Sequence, residues 1–470
     1  MGTPRSASVG TASAPPDGRD GAVAGAPDGG VAGGAGAGCV GVGCGDGGAG
    51  RGCPGRGNGC GTGVCNSAAT KMSPHIMPND CEPSERVSQV IAGLRTFCRA
   101  ERDWLLDTIE TLVALESPTT DKGAVDKCGA ELSRRIEAIG GRVTRLPRTE
   151  RGDHLLAEFG CGMSQVLLLG HFDTVWSVGQ LDRMPIVRSD GRLHGPGVFD
   201  MKAGIAIAML ATRALYETDA PLSHRLTMLW TTDEEMGSAT SRTAIEDEAR
   251  RSAAVLVLEP SLPGGAVKTS RKGCGQYELR VHGTAAHAGI DPAKGASAIH
   301  ELAHQICQAY ETPKLSSGIS LNVGTISGGT RANVVADGAR AVIDVRASTS
   351  HEMSLIDAAL RSQVSRNPQT RLEWSGGFDR PPLERTSAVA RLYDQARSVA
   401  RELGHDLAEG GTGGGSDGNF TAALGVPTLD GLGAVGDGAH AIHEYVDIES
   451  LTDRATLVAG LVVSIAASQT

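Results

Sequence analysis

The sequence predicts an α/β protein. A domain with a mainly parallel sheet and helices on both faces is built from two segments, with an α+β domain inserted between them. Two observations carry this reading. From about residue 83 continuous apolar runs alternate with helical patterns; between about 271 and 386 the strands instead alternate apolar and polar residues; helical and apolar patterns then resume. The chain also has 65 glycines, of which 23 lie within positions 1–65, so a Gly-rich tail precedes ordinary globular sequence. The expected layout is a disordered tail (1–82), a first segment (83–270), the insert (271–386) and a second segment (387–470).

The tail lacks apolar periodicity and cannot bury enough surface to offset its ordering entropy. It has no uninterrupted apolar stretch of the secretory type. Cys39, Cys44, Cys53, Cys60 and Cys65 match no zinc spacing and have no His among them. Residues 36–41 fit G-x-G-x-x-G, but without a strand before or a helix after. Met72 or Met77 is an alternative expected start. The other six cysteines are scattered singly, as reduced thiols of a cytoplasmic protein are.

Apolar residues at helical spacing over 87–115 predict helix, followed by a second helix over 124–140. Val-Leu-Leu-Leu in 165–170 reads as a buried strand, 201–216 as an Ala-rich helix, and 225–232 and 253–258 as two further strands. In the insert, 274–282 and 340–347 read as half-exposed antiparallel strands, with helices over 295–310 and 352–366. Lys+Arg is 44 against Asp+Glu 54, a net charge of −10. That balance argues against nucleic-acid or anionic-membrane partners, and no apolar stretch approaches the ~18 residues of a membrane span.

Five places put acids or histidines at or beyond strand ends, where open α/β sheets bind ligands. In Gly170-His171-Phe172-Asp173, an extended chain turns His171 and Asp173 to one side, although a polar strand end would look the same. Asp200, in Gly195-Pro-Gly-Val-Phe-Asp200-Met-Lys, also fits a helix N-cap. Asp233-Glu234-Glu235 crowds three acids, which a divalent cation or plain solvation would relieve. Glu259 closes a buried strand, and His440 lies in Gly438-Ala-His440. Together these supply two histidines and three carboxylates, with Glu234 left over: the stock for two zinc ions sharing one carboxylate, plus a general base.

In this order, over about residues 87–467, these motifs resemble the di-zinc metallopeptidase family of glutamate carboxypeptidase, acetylornithine deacetylase and succinyl-diaminopimelate desuccinylase. The likeness is nearest to glutamate carboxypeptidase. The resemblance implies one zinc on His171, Asp200 and Glu259 and another on Asp200, Glu235 and His440, with Co2+ able to substitute. It makes Asp173 the residue that orients His171, Glu234 the catalytic base, and the bond after Asp200 a cis peptide. It casts the insert as a lid that forms a homodimer, so that His287 steadies the oxyanion in the other subunit's site. Asn333 and Arg346 match substrate contacts, Arg380 a carboxylate clamp, and Lys268 and Lys272 match more weakly. Gly414, Gly415 and Ser416 match a pocket-lining loop. Met201 departs from the second acid frequent in glutamate carboxypeptidases, and His443 is given no ligand role.

The implied reaction is hydrolysis of the amide bond of a C-terminal amino acid, through metal-bound water with Glu234 as general base. An N-acyl-amino-acid deacylase is the alternative, and the expected partner is a small peptide or N-acyl amino acid. A remoter alternative is a serine hydrolase, because residues 414–418 fit G-x-S-x-G and Asp437 and His440 follow in triad order. That reading leaves Asp200, Glu234, Glu235 and Glu259 without a task, as does a non-catalytic binding protein.

Overall fold

The computed structural model describes residues 83–467 except 163, 223 and 313–315; the expected disordered tail, its cysteines and the alternative starts lie outside the described residues. The stretch 87–115 forms two helices, α1 (Pro83–Ala100) and α2 (Arg102–Ala114), rather than one. Then come α3 (Lys122–Ala138), β1 (Arg142–Leu146), β2 (His154–Phe159) and β3 (Gln165–His171). After β4 (Val187–Ser189) and β5 (Arg192–His194) run α4 (Ala203–Glu217), β6 (Arg225–Thr231), α5 (Arg242–Arg250) and β7 (Ser252–Val257).

The central sheet has the order β1-β2-β6-β3-β7, with β14 (Thr428–Leu429) closing the far edge. β6, β3, β7 and β14 run parallel and only β2 opposes them. β3 is buried along its whole length, as a strand covered on both faces must be. Its side chains divide by alternation. Val166 and Leu168 join the cluster that holds α4 and α10 (Leu451–Ala467), while Leu167 and Leu169 join a smaller one with Ile245 of α5 and Phe420 of α9 (Gly418–Ala423). Helices therefore cover both faces. Gly204, early in α4, is required by close approach: a Cβ there would stand 2.1 Å from the Leu258 carbonyl oxygen.

From β8 (Val267–Arg271) the chain enters β9 (Gly273–His282), α6 (Ala298–Ala309), β10 (Ser320–Gly328), β11 (Gly338–Ala347), α7 (Ser350–Arg361) and β12 (Arg371–Arg380). These strands form a second, antiparallel sheet of order β10-β11-β9-β12. Tyr277, Leu279 and Val281 of β9 pack with Leu302 of α6 and Ile356 and Leu360 of α7; Gln276, Glu278 and Arg280 alternate to the opposite face. The two segments that cross between the sheets are paired, Arg271 and Leu383 exchanging backbone hydrogen bonds of 2.9 and 3.0 Å. The chain continues through α8 (Ser387–Glu402), β13 (Glu409–Thr412), β15 (Gly436–Asp437) and β16 (Tyr445–Asp447). Among the described residues no helix is long and apolar enough to cross a membrane.

Candidate active site

Every one of the five expected ligands sits beyond the carboxyl end of the central strands. His171 ends β3, Glu235 follows β6 and Glu259 follows β7. Asp200 lies in a turn before α4 (φ −116°, ψ 94°), joined to Met201 by a cis peptide as expected. It is not an N-cap: Lys202 occupies that position. His440 has a left-handed backbone (φ 62°), a costly conformation for a non-glycine residue and one that concentrates at functional sites.

The side chains converge on Asp200. Its Oδ1 lies 3.3 Å from Nε2 of His171, and its Oδ2 lies 3.4 Å from Nε2 of His440. His171 Nε2 is also 3.4 Å from Glu259 Oε1, and His440 Nε2 is 3.2 Å from Glu235 Oε2. Asp200 thus turns one oxygen toward each of two groups. These separations exceed the ~2.7–2.9 Å of a good charged hydrogen bond, and His171 Nε2 and Asp200 Oδ1 are buried with no hydrogen-bond partner. Two imidazole nitrogens and several carboxylate oxygens converge here, one nitrogen and one oxygen of them unsatisfied, a donor set that fits divalent cations. Sets of ligand atoms from His171, Asp200 and Glu235, and from His171, Glu234 and Glu259, lie within 4.8 Å of one another.

Electrostatics follow from this crowding. Hydrogen bonds to Asp200 and Glu235 lift the His440 imidazole to about 10. Burial works against the Asp200 carboxylate, but His171 and His440 outweigh it and hold its pKa far below the usual range. Burial pushes Glu234 up to about 8, although the Arg380 guanidinium pulls the other way. Arg380 donates to Glu234 Oε1 at 2.6 Å and to Ser238 Oγ at 2.8 Å. The expected carboxylate clamp therefore grips the expected base.

Surrounding residues fix the cluster. His171 Nδ1 is 3.0 Å from the Asp173 carbonyl oxygen and 3.4 Å from Asp173 Oδ1, while Thr119 holds Asp173 Oδ2 at 2.7 Å. Asp233 is turned away from the site, accepting from the amide and hydroxyl of Thr240. Glu444, part of the late G-A-H-…-E-Y motif but given no role by the sequence, accepts from the amides of Gly197, Phe199 and Asp200 and from the Trp176 indole. It clamps the turn that presents Asp200. Its only sequence signal is an acid close behind His440.

Other expected residues are dispersed. His287 and Asn333 are exposed neighbours on the insert, the Ala288 amide donating to the Asn333 carbonyl oxygen; neither hydrogen-bonds to the carboxylate cluster. Arg346 pairs with Asp344 and Cys274. Lys268 is buried, and Lys272 accepts at its carbonyl oxygen from Asn419. Gly414 and Gly415 turn their carbonyl oxygens to Arg271. Ser416 corrects the serine-hydrolase reading: its hydroxyl is buried and donates to Asp430 at 2.6 Å, His440 faces Asp200 and Glu235, and Asp437 accepts from the Gly438 amide. The three members of that triad are not hydrogen-bonded to one another.

A mainly parallel sheet carries a carboxylate–imidazole cluster at its strand ends and an inserted antiparallel sheet, and likeness to known proteins makes this a hydrolase of peptide or acyl-amide bonds. The chain belongs to peptidase family M20/M25/M40, which it matches over residues 167–464, and so to a family of metal-dependent peptidases and amidohydrolases. It is 28% identical over 380 residues to carboxypeptidase G2 of Pseudomonas sp. (strain RS-16), covering 78% of this chain and 91% of that protein. To succinyl-diaminopimelate desuccinylase of Stenotrophomonas maltophilia it is 28% identical over 376 residues, covering 74% and 95%. The crystal structure of aminopeptidase PepT from Bacillus cereus has the same fold, with a TM-score of 0.67 at 23% identity over 78% of this chain and 99% of that one.

Proposed function

We propose that this protein is a zinc-dependent carboxypeptidase that removes a C-terminal amino acid by hydrolysing its amide bond. The observation that carries the reading is the division of Asp200 between two imidazole–carboxylate groups. His171, Asp200 and Glu259 would hold one cation, and Asp200, Glu235 and His440 the other. Bound there, zinc supplies Lewis acidity that polarises the scissile carbonyl and acidifies the attacking water.

The chain's own groups do the rest. Glu234, close to His171 and Glu259, takes the proton of the attacking water and delivers it to the leaving amine. Asp173 holds His171 in place through Nδ1, leaving Nε2 for the cation. Arg380 would recognise the free carboxylate of the substrate, a task suited to the guanidinium fork, and Arg346 would contact the substrate from the insert. Gly414, Gly415 and Ser416 belong to the loop beside it. Asn333 contacts the substrate from the insert, and His287 supports the oxyanion in the partner subunit's site of a homodimer formed through the insert.

The carboxypeptidase reading over a deacylase rests on the likeness to carboxypeptidase G2; N-acyl amino acids are the second substrate class. Five described cysteines are free thiols, which supports a cytoplasmic location. Glu234→Gln tests the mechanism: zinc content and KM stay within about threefold while kcat falls by roughly 10²–10⁴. Unchanged turnover would remove Glu234 from the reaction. Peptide and N-acyl substrates assayed side by side decide the class.

A further inference from the structure

We propose that Arg271 is a positioning residue for this reaction: it divides the two oxygens of Glu259, holding one so that the other faces the cluster, and ties that ligand to the Gly-rich loop. The inference rests on the reading of Glu259 as a metal ligand.

Arg271 is the last residue of β8 and stands where the chain crosses into the insert. Its backbone is held from two sides, by Leu383 and by pairing of β8 with β13, and its side chain is only 4% exposed. All five guanidinium donors are engaged. Nε and Nη2 grip Asp430 at 2.8 and 2.7 Å, and the second Nη2 proton reaches Glu259 Oε2 at 3.1 Å. The two Nη1 protons reach the carbonyl oxygens of Gly414 and Gly415 at 3.3 and 3.1 Å.

With Oε2 held in this way, Glu259 presents Oε1 to His171, 3.4 Å from Nε2. Asp430 is fully buried and fixes the same loop by accepting from Ser416. One guanidinium faces two buried carboxylates here, with the buried Lys268 also within electrostatic reach of both, and the bond to Arg271 decides which Glu259 oxygen is turned to the cluster. A lysine keeps the cation but cannot reach Asp430, Glu259 and two carbonyls at once. Freed of Arg271, Glu259 can rotate, and the loop loses its link to the ligand.

The full chain is tested as wild type, Arg271→Lys and Asp430→Asn. Zinc stoichiometry and affinity are measured by chelator competition, together with the visible spectrum of the Co2+ form and melting of the metal-free protein. Two zincs are expected in the wild type. Arg271→Lys should weaken one of them by about 10–100-fold and alter the Co2+ spectrum. Asp430→Asn also disturbs the buried pair but leaves Glu259 held, so it should melt earlier yet keep both zincs within about threefold. Wild-type affinity at both sites in Arg271→Lys would overturn the proposal, as would equal zinc loss in the two variants, which would mark mere support of the fold. A wild type that binds no zinc would instead overturn the metal reading and, with it, this inference.

Discussion

Arg380 and Glu234 show how single side chains would set the proposed chemistry. A carboxylate buried this deeply favours its neutral form, and burial lifts Glu234 to about 8 even with Arg380 at 2.6 Å. As the proposed base it must be ionised, so activity should rise with pH through its pKa. Cations in the site act in the same direction as Arg380 and bring that limb below 8. Removing Arg380 takes away one lowering influence. Arg380→Gln should therefore move the acid limb of kcat/KM to higher pH by about one unit or more, and raise KM for substrates with a free carboxylate. An unmoved acid limb in the pH–rate profile would mean that Glu234 is not the group being titrated.

At the scale of elements, helices and loops hold such groups through local charge. On α3 the Glu131 carboxylate is hydrogen-bonded to Arg134 and Arg135, and its pKa is lowered from 4.5 to about 2. A depressed folded pKa stabilises the protein above the unfolded value and loses that contribution as pH falls toward the folded one. Arg134 is mostly exposed, so screening limits the gain. Glu131→Gln should cost about 1 kcal/mol at pH 7, and denaturant unfolding should show the difference shrinking between pH 4.5 and 2. Local order of this kind also decided what could be read in the sequence. β3, β6 and β7 were legible as apolar runs, and His171, Glu235 and Glu259 as polar residues at their ends. β1 was not, because Arg142 and Arg145 leave it mostly exposed at a sheet edge. The helix expected from residue 201 begins at Ala203, because the turn that presents Asp200 is not helical. The roles of Glu444 and Arg271 were not legible for a different reason. Glu444 acts on an amide 244 positions away, and Arg271 joins Glu259, 12 positions away across a turn between strands, to Asp430, 159 away; neither helical nor strand periodicity carries a signal for such pairs.

The whole molecule places its two sheets in one chain yet leaves His287 exposed and unconnected to the carboxylate cluster. If His287 serves catalysis, the simplest arrangement has the insert of one subunit completing the site of another, in a symmetric dimer where each copy both gives and receives. Subunit mixing tests this directly. Glu234→Gln and His287→Ala homodimers should each be nearly inactive. Once their subunits exchange, a mixed dimer has one site with both defects. Its other site pairs an intact Glu234 with an intact His287 contributed by the partner subunit. With random exchange at equal concentrations, activity should recover to about a quarter of the wild-type value. If His287 instead acted within its own chain, every site in the mixture would carry one defect, and exchange would restore nothing. Sedimentation of the same samples reads the assembly separately. Dimers without recovery would rule out the shared site, and monomers that are fully active would rule out the dimer as well.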